Sequence, residues 1–286
     1  MLKNKIIIGC AVKPRYDCSI CLIIRDENEY LQEWLEWHIG QGVQHFYIYD
    51  HGSKSPVKDF VHALGAAIAD KVTVIDWSGL HDNAQPQAYN DCLKRFGKDN
   101  RWLGFIDSDE FVRVKSGQAL PVFLQNYKDY AGLFIVWIMY GANGQLKKVN
   151  APLRQRFPSP AIVSTWSDKM GKVFVQPSRM REMYIHNGYP KEGCCVVGEA
   201  GDTVFEAEYW KENATTDLIA IDHYYTKSYE EWLEKLRRGS CHALSGGRKY
   251  QEFFEVNPDM EHCREEVYPV QQYEISTKGE TDARTC

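Results

Sequence analysis

A regular alternation of short apolar runs with helical patterns over the first 110 residues constrains the fold more than any other feature of this sequence. The apolar runs cover residues 20–24, 46–49, 72–75 and 102–106, and the helical patterns between them cover residues 26–39, 57–69 and 85–96. A strand followed by an amphipathic helix, repeated in this way, is typical of a parallel sheet with helices on both faces. The sequence therefore predicts an α/β protein with a doubly wound, mostly parallel sheet.

Aspartates stand at the ends of three of these predicted strands. Asp50, Asp76 and Asp107 follow the second, third and fourth strands. The carboxyl ends of parallel strands meet at one edge of a sheet, and functional side chains of such proteins collect there. We therefore expect a functional site at this edge.

The second half of the chain has a less regular pattern. Three further strands are predicted at residues 133–138, 172–176 and 218–221. Ser228 and Glu231 form an S-x-x-E capping box, which predicts the start of a helix that Gly239 ends. From about residue 245 the sequence turns polar, which predicts an extension that docks loosely.

The charge balance argues against a nucleic-acid partner, and the hydropathy argues against a transmembrane segment. The chain has 286 residues, and 34 lysines and arginines against 39 acids give a formal net charge of −5. Binding of nucleic acid needs a net basic face, so no nucleic-acid partner is expected. No apolar run approaches the roughly 18 residues that span a membrane, so no transmembrane segment is expected. Residues 6–12 are predicted to form an edge strand, because no small-residue cleavage site follows them.

The cysteines indicate a reducing compartment. Nine of them, an odd number, are scattered along the chain, which favours free thiols over a disulfide framework. The expected location is therefore the cytoplasm, either free or in peripheral contact with the inner face of the membrane. Cys18 and Cys21 have the spacing of metal ligands, but Cys21 lies inside an apolar run, which favours a buried thiol over a zinc site.

The motif Asp107-Ser108-Asp109 at the end of the fourth strand carries the strongest chemical signal. Two carboxylates so spaced can hold one hard divalent cation, and that cation can neutralise a diphosphate. An acidic turn that only solvates the strand end is an equally simple interpretation. A phosphohydrolase of the haloacid dehalogenase type, with Asp107 as nucleophile, is a further alternative. It is less favoured because that motif normally follows the first strand, whereas three strand–helix units precede it here.

Several motifs follow one another in a fixed order along the chain. They are ICLIIRDENEYLQEWLEWHIGQGVQHFYIYDHGS, QPQAYNDCLKRF and RWLGFIDSDEFV, followed by W-x-x-Y-G at 137–141, K-V-F-V-Q-P at 172–177, I-H-N at 185–187 and D-H-Y-Y-T-K-S at 222–228. In this order they resemble the motifs of glycosyltransferase family 92 and related family 2-like glycosyltransferases, over about residues 18–240. R-D-E at 25–27 stands where the family has K-N-E, and Y-G-A at 140–142 replaces F-G-S, which affects the expected acceptor more than the reaction class.

The resemblance implies a GT-A fold and a metal-dependent hexosyltransferase. The expected cofactor is Mn²⁺ or Mg²⁺, the donor is a UDP-hexose such as UDP-galactose, and the acceptor is a glycan or lipid-linked glycan, for example a surface-polysaccharide precursor. Residues 1–240 would form one catalytic domain, with a donor-binding half at about 18–112 and an acceptor half at about 113–240. Residues 241–286 would be the polar extension. A catalytically silent module that binds a nucleotide sugar or a glycan is the alternative from another functional class.

Individual roles follow from the same resemblance. Asp107 is expected at the ribose and the metal, and Asp109 on the metal directly. His223 is the expected third metal ligand, because it ends a predicted strand, while His186 lies in a turn-forming stretch that suits an acceptor opening. Lys227 is expected on the diphosphate. Asp50 is expected to bind the nucleotide base, with a simple turn cap as its alternative.

Two further expectations concern the chemistry. An inverting enzyme needs a general base beside the acceptor hydroxyl, and Asp168, Glu192 and Glu199 are candidates among which spacing does not choose. UDP is expected to stabilise the protein only when a divalent cation is present, because the aspartates alone would repel a diphosphate.

Overall fold

The computed structural model describes residues 13–79, 82–161, 170–204, 215–239 and 249–263. The strands are β1 (Tyr16–Ile24), β2 (His45–Asp50), β3 (Val72–Asp76), β4 (Asn100–Phe105), β5 (Glu110–Val114), β6 (Gly132–Met139), β7 (Gly171–Val175), β8 (Met180–Met183), β9 (Gly188–Pro190), β10 (Val196–Val197), β11 (Thr203–Val204) and β12 (Ile219–His223). The helices are α1 (Asn28–Gly40), α2 (Val57–Ala63), α3 (Ala66–Ala69), α4 (Ala84–Phe96), α5 (Leu120–Leu124), α6 (Leu153–Arg156), α7 (Tyr229–Arg238) and α8 (Glu252–Val256).

The central sheet confirms the predicted architecture. Strands β1 to β4 are all parallel and lie in the order β3-β2-β1-β4, which places the ends of β2, β3 and β4 at one edge. The sheet continues through β7, β6, β10 and β11. β7 runs antiparallel between β4 and β6, and β12 pairs in parallel with β6 and antiparallel with β5. The sheet is therefore mixed, and its parallel part is the part that the sequence pattern predicts.

Apolar side chains cover both faces of this sheet. Cys18 belongs to the hydrophobic cluster on the α1 side, and Cys21 belongs to the cluster on the α4 side. Residues three apart on one strand point to opposite faces. The two thiols therefore cannot share a metal ion, and both are fully buried and free.

Two predicted elements differ in detail from the observed ones. The predicted helix at 57–69 is divided into α2 and α3, because Gly65 between them has a φ of 87° that ends the first helix. Strand β5 was not predicted, since the acidic motif before it resembles a loop. The predicted edge strand at residues 6–12 lies outside the described residues.

Helix α7 begins as the capping box predicts. The Glu231 amide donates to Ser228 Oγ at 3.4 Å, and the Ser228 amide donates to Glu231 Oε2 at 3.1 Å. Phe253 and Phe254 of α8 pack in one cluster with Trp232 of α7. A boundary at residue 240 between a catalytic domain and an extension stays a prediction. None of the described helices is long and apolar enough to cross a membrane.

Candidate active site

The turn that carries Asp107 and Asp109 is fixed by α1 and by its own last residue. Trp34 Nε1 of α1 donates to the carbonyl oxygens of Asp107 at 3.0 Å and of Glu110 at 2.9 Å. The Asp107 amide donates to Glu110 Oε2 at 2.8 Å, and the Glu110 amide donates to the Asp107 carbonyl at 3.2 Å. The tryptophan of the first helix therefore sets the position of the acidic turn at the carboxyl end of β4.

Asp107 is held by three side chains from two elements. Its Oδ1 accepts from Gln85 Nε2 at 2.8 Å and from the Tyr89 hydroxyl at 3.3 Å, both on α4. Its Oδ2 accepts from Lys172 Nζ of β7 at 2.9 Å. Burial alone would raise the pKa of Asp107, but the Lys172 ammonium holds that pKa below its ordinary value. Asp107 is thus an ionised and oriented carboxylate.

Asp109 lies deeper and is surrounded by cationic groups. Its Oδ2 accepts from Lys235 Nζ at 2.7 Å and from Lys227 Nζ at 3.2 Å. Its Oδ1 lies 3.5 Å from His223 Nε2. Burial would raise the pKa of Asp109, but Lys235 and then Lys227 hold it well below the ordinary value. Asp109 is therefore ionised while only 4% exposed.

His223 reaches this carboxylate because β12 ends beside the acidic turn. His223 pairs with Glu110 across the antiparallel ladder, and the Tyr224 amide donates to the Asp109 carbonyl at 2.9 Å. Burial lowers the pKa of His223, which keeps the imidazole neutral near pH 7. Within the described part of the chain, its Nδ1 is buried and has no hydrogen-bond partner.

His186 lies near the same site but makes different contacts. Its Nδ1 lies 3.0 Å from the Gly171 carbonyl oxygen, and burial lowers its pKa to about 3. The ring of Trp137 contacts both histidines, with centroid distances of 5.3 Å to His186 and 4.5 Å to His223. The two histidines act on different aspartates of the turn: His223 Nε2 lies 3.5 Å from Asp109 Oδ1, whereas His186 contributes to lowering the pKa of Asp107.

A third acidic side chain, Glu27, joins the cluster from the loop after β1. Its Oε1 accepts from Arg238 Nη2 at 2.5 Å and lies 3.8 Å from Lys227 Nζ. Ser108 Oγ donates to its Oε2. Lys227 itself has a φ of 56°, a left-handed conformation that costs a non-glycine residue roughly 1–2 kcal/mol. The ends of α7 and the loop after β1 thus meet at the acidic turn.

Glu110 differs from the other acids of the cluster. It is fully buried, and burial raises its pKa well above the ordinary value, whereas the pKa values of Asp107 and Asp109 are lowered. Its Oε2 is the acceptor for the Asp107 amide. The residue therefore shapes the turn through this contact.

The remaining predicted residues are Asp50, Glu192, Asp168 and Glu199. Asp50 accepts from the amides of Ser53 at 2.9 Å and Val57 at 3.0 Å, which is the turn-cap geometry named as its alternative, and contact with a base stays a prediction. Glu192 is exposed in the turn after β9 and remains a candidate base. Asp168 lies outside the described residues.

Glu199 is removed from the candidate bases by its contacts. Its carboxylate accepts from the amides of Asp217 at 2.6 Å, Leu218 at 2.9 Å and Ile219 at 3.0 Å. It thereby caps the start of β12, whereas His223 lies at the other end of that strand. Four residues of strand separate the two ends by about 13 Å, so Glu199 cannot serve a reaction beside His223.

The donor set partly fits a divalent cation. Asp109 is an ionised carboxylate and His223 a neutral imidazole with an unpartnered nitrogen, and both are ligands that Mn²⁺ accepts. Among the described residues, no three His, Cys, Asp or Glu side chains are grouped to hold a metal ion. Asp107, the third predicted ligand, faces Lys172, Gln85 and Tyr89 instead. Asp109 and His223 are therefore two side chains of suitable chemistry that lie together, and their role as metal ligands stays a prediction.

The structure also changes one electrostatic expectation. The sequence suggested that the aspartates alone would repel a diphosphate, but each aspartate is paired with at least one lysine. The repulsion is therefore largely cancelled inside the protein. We now expect weak stabilisation by UDP in EDTA and stronger stabilisation with Mn²⁺.

Several residues of the cluster were not predicted from the sequence. They are Glu27, Gln85, Tyr89, Lys172, Lys235 and Arg238. A signal existed for two of them. Lys172 interrupts a run of apolar strand residues, and Lys235 stands three positions after Trp232 on the inward face of α7. A lysine at a core position is unusual enough to indicate a buried partner.

The comparisons with known proteins agree with the motif order. The model of glycosyltransferase family 92 matches residues 16–238. A family 92 protein of Oryza sativa subsp. japonica is 30% identical over 234 residues, which cover 78% of this chain and 35% of that protein. One of Ricinus communis is 25% identical over 238 residues, 79% of this chain and 38% of that protein. The chain thus spans little more than a third of the length of these relatives.

Solved structures give a weaker likeness. The galactosyltransferase LgtC in complex with donor and acceptor sugar analogs is 14% identical, covers 87% of this chain and all of its own, and has a TM-score of 0.37. The mannosyltransferase PcManGT of Pyrobaculum calidifontis, in complex with GDP-Man and Mn²⁺, is 13% identical, covers 44% of this chain and 37% of its own, and has a TM-score of 0.34. Likeness at this level carries no inference about the site. Family membership rests on the family model instead, and because that model matches residues 16–238, the chain belongs to glycosyltransferase family 92.

Proposed function

We propose that this protein is a metal-dependent glycosyltransferase that transfers a hexose from a UDP-sugar, for example galactose from UDP-galactose, to a glycan acceptor. Membership of family 92 supports the reaction class. One observation in the structure carries the proposal: Asp109 lies within 3.5 Å of His223 and within 3.2 Å of Lys227 at the carboxyl edge of the sheet. A carboxylate, an imidazole and an ammonium at one point suit a cation and a diphosphate.

Each side chain of the cluster would have a separate role in binding the donor. Asp109 and His223 would hold the cation, which when bound neutralises the diphosphate as it leaves. Lys227 would neutralise the diphosphate directly as a point charge. Asp107 is fixed by Gln85, Tyr89 and Lys172, and a carboxylate held this firmly suits the hydroxyls of a ribose.

The acceptor side of the reaction is a separate part of the proposal. Inversion requires a base beside the acceptor hydroxyl, and Glu192 and Asp168 remain the candidates. The acceptor proposed is a lipid-linked or surface-polysaccharide precursor at the cytoplasmic face of a membrane. The cytoplasmic location rests on the cysteines, and those of the described residues are free.

A donor screen tests the proposal. Melting temperature is measured with a panel of UDP-, GDP- and CMP-sugars in Mn²⁺, and the sugars that stabilise the protein are then tested for UDP release with glycan acceptors. We expect one UDP-hexose to raise the melting temperature and to turn over only when an acceptor is added. Stabilisation without turnover for any acceptor would favour a silent binding module. Phosphate release from sugar phosphates would favour the phosphohydrolase alternative. Each of these two results would contradict the proposal.

A further inference from the structure

One oxygen of Asp109 receives two ammonium groups. Lys235 Nζ lies 2.7 Å and Lys227 Nζ 3.2 Å from Asp109 Oδ2, and the two lysine side chains are only 7% and 3% exposed. The two ammonium groups repel each other, and Glu27 Oε1, which lies 3.8 Å from Lys227 Nζ, offsets part of this repulsion. Lys235 is therefore the nearer of two ammonium partners of Asp109, and Lys227 supplies a positive charge to this carboxylate without it.

Further charged side chains lie around the same turn. Among the described residues, the cationic ones are Lys172, Lys227, Lys235 and Arg238, and they pair with Glu27, Asp107 and Asp109. Because Lys227 and Lys235 meet at one oxygen atom, they are close enough together to contact one anionic group.

Lys235 is well placed to change its partner. Besides Asp109, its ammonium contacts the Tyr225 carbonyl at 2.8 Å and the face of the Tyr225 ring at 4.7 Å. It projects from α7, and its flexible four-carbon stem lets the charge move by several ångströms while the helix stays in place. Tyr225 lies in the segment between His223 and Lys227, so any group bound by those two residues would lie near Lys235.

We propose that Lys235 is an internal counter-ion of Asp109 that passes to the diphosphate of the donor when the donor binds. Without a ligand, Lys235 is the nearer counter-ion of the buried Asp109, and Lys227 remains beside that carboxylate when Lys235 leaves. With a nucleoside diphosphate present, the Lys235 ammonium moves to a phosphate oxygen, which would make Asp109 available to a cation. The inference rests on the proposed function, because it requires a donor with a diphosphate.

The experiment is a calorimetric titration of three probes: UDP in Mn²⁺, uridine in Mn²⁺, and Mn²⁺ alone. The wild-type protein is compared with Lys235→Met, which keeps the length of the side chain and removes its charge. We expect UDP affinity to fall at least tenfold and uridine affinity to change less than twofold. Mn²⁺ alone should bind several-fold more tightly, because its competitor at Asp109 is gone.

Control variants make the result specific. Lys148→Met removes a lysine that pairs with Glu29 and Glu234 outside the cluster, and it should leave all three affinities unchanged. Lys235→Gln keeps a hydrogen-bond donor toward Asp109 and provides the same test if the methionine variant does not fold. Unchanged UDP affinity in a folded Lys235 variant, or equal losses for UDP and uridine, would overturn the inference. Failure of the wild-type protein to bind UDP would instead refute the proposed function.

Discussion

Helix α7 contributes to two buried ionic networks, and they differ in how well their charges match. In the first, Glu231 Oε1 accepts from Arg156 Nη1 at 2.9 Å and from the Tyr30 hydroxyl at 2.7 Å, while Oε2 accepts from Arg156 Nη2 and the Ser228 amide. One carboxylate meets one guanidinium in a bidentate pair. Burial opposes ionisation of Glu231, but the hydrogen bond from Arg156 lowers its pKa to about 2.

The second network, around Asp109, is buried to the same extent, but its positive and negative groups are not paired one to one. Two ammonium groups share one carboxylate oxygen, and the Nδ1 of the adjacent His223 has no hydrogen-bond partner in the described part of the chain. The Glu231 network also has one buried donor, Arg156 Nε, without a partner among the described residues, so unpartnered atoms do not distinguish the two networks. The pairing of charges does distinguish them. We therefore expect the Glu231 pair to hold α7 in place and the lysines at Asp109 to serve a ligand.

Removal of the Asp109 charge should have the largest effect on activity. Asp109→Asn removes the carboxylate expected to hold the cation, and we expect turnover to fall by roughly a thousandfold. The variant also removes the carboxylate that Lys235 and Lys227 share, so its melting temperature should fall. Turnover is measured below that temperature, with Asp17→Asn at the exposed ion pair with Arg101 as control. Near-normal turnover at limiting Mn²⁺ would reduce the motif to an acidic turn.

Disruption of the balanced network should affect stability and spare the chemistry. Glu231→Gln leaves the buried Arg156 guanidinium unpaired, and we expect the free energy of unfolding to fall by about 3 kcal/mol. Denaturant titration measures this loss, and turnover per folded molecule should stay within threefold of wild type. A hundredfold loss of turnover in the folded variant would show that the two networks do not have separate roles.

The histidines test which side chain completes the cation site. His223→Ala should raise the Mn²⁺ concentration for half-maximal activity about tenfold, on the order of 1.4 kcal/mol. His186→Ala should mainly change the KM for the acceptor, since His186 contacts the Gly171 carbonyl and the Trp137 ring. An exchange of these two results would assign the metal to His186.

The smallest predicted effect concerns pH and a histidine of the core. Burial lowers the pKa of His38 to about 3, whereas the unfolded chain titrates near 6.5, so the unfolded state binds one more proton between these values. Stability should therefore decline as the pH falls from 6.5. In His38→Gln, unfolding should take up about one proton fewer between pH 6.5 and 4.5. The slope of the unfolding free energy against pH should therefore decrease by about 1.4 kcal/mol per pH unit. An unchanged slope would mean that His38 is charged in the folded protein.

Local patterns were sufficient to predict the parallel half of the sheet and the acidic turn. Strands β1 to β4 have apolar runs of strand length, and the capping box at Ser228 is a contact between residues three apart. His38 follows the same logic, because its position on the apolar face of α1 predicts packing, and it is fully buried. Each of these features depends on residues close in sequence.

The partners of the acidic turn could not be predicted in the same way. Lys172 and Lys235 reach Asp107 and Asp109 from 65 and 126 residues away. These contacts depend on the insertion of an antiparallel β7 between β4 and β6 and on the place where α7 packs. Sequence periodicity reports which face of an element is buried, but it does not identify the element that lies opposite.

The most direct test of the account compares UDP with uridine in calorimetric titrations of the wild-type protein in Mn²⁺. If the lysines that meet at Asp109 form the diphosphate site of a nucleotide-sugar donor, the diphosphate should supply most of the binding energy. We therefore predict that UDP binds at least about a hundredfold more tightly than uridine, a difference on the order of 2.7 kcal/mol. Equal affinities for the two compounds, or no binding of UDP, would contradict the account.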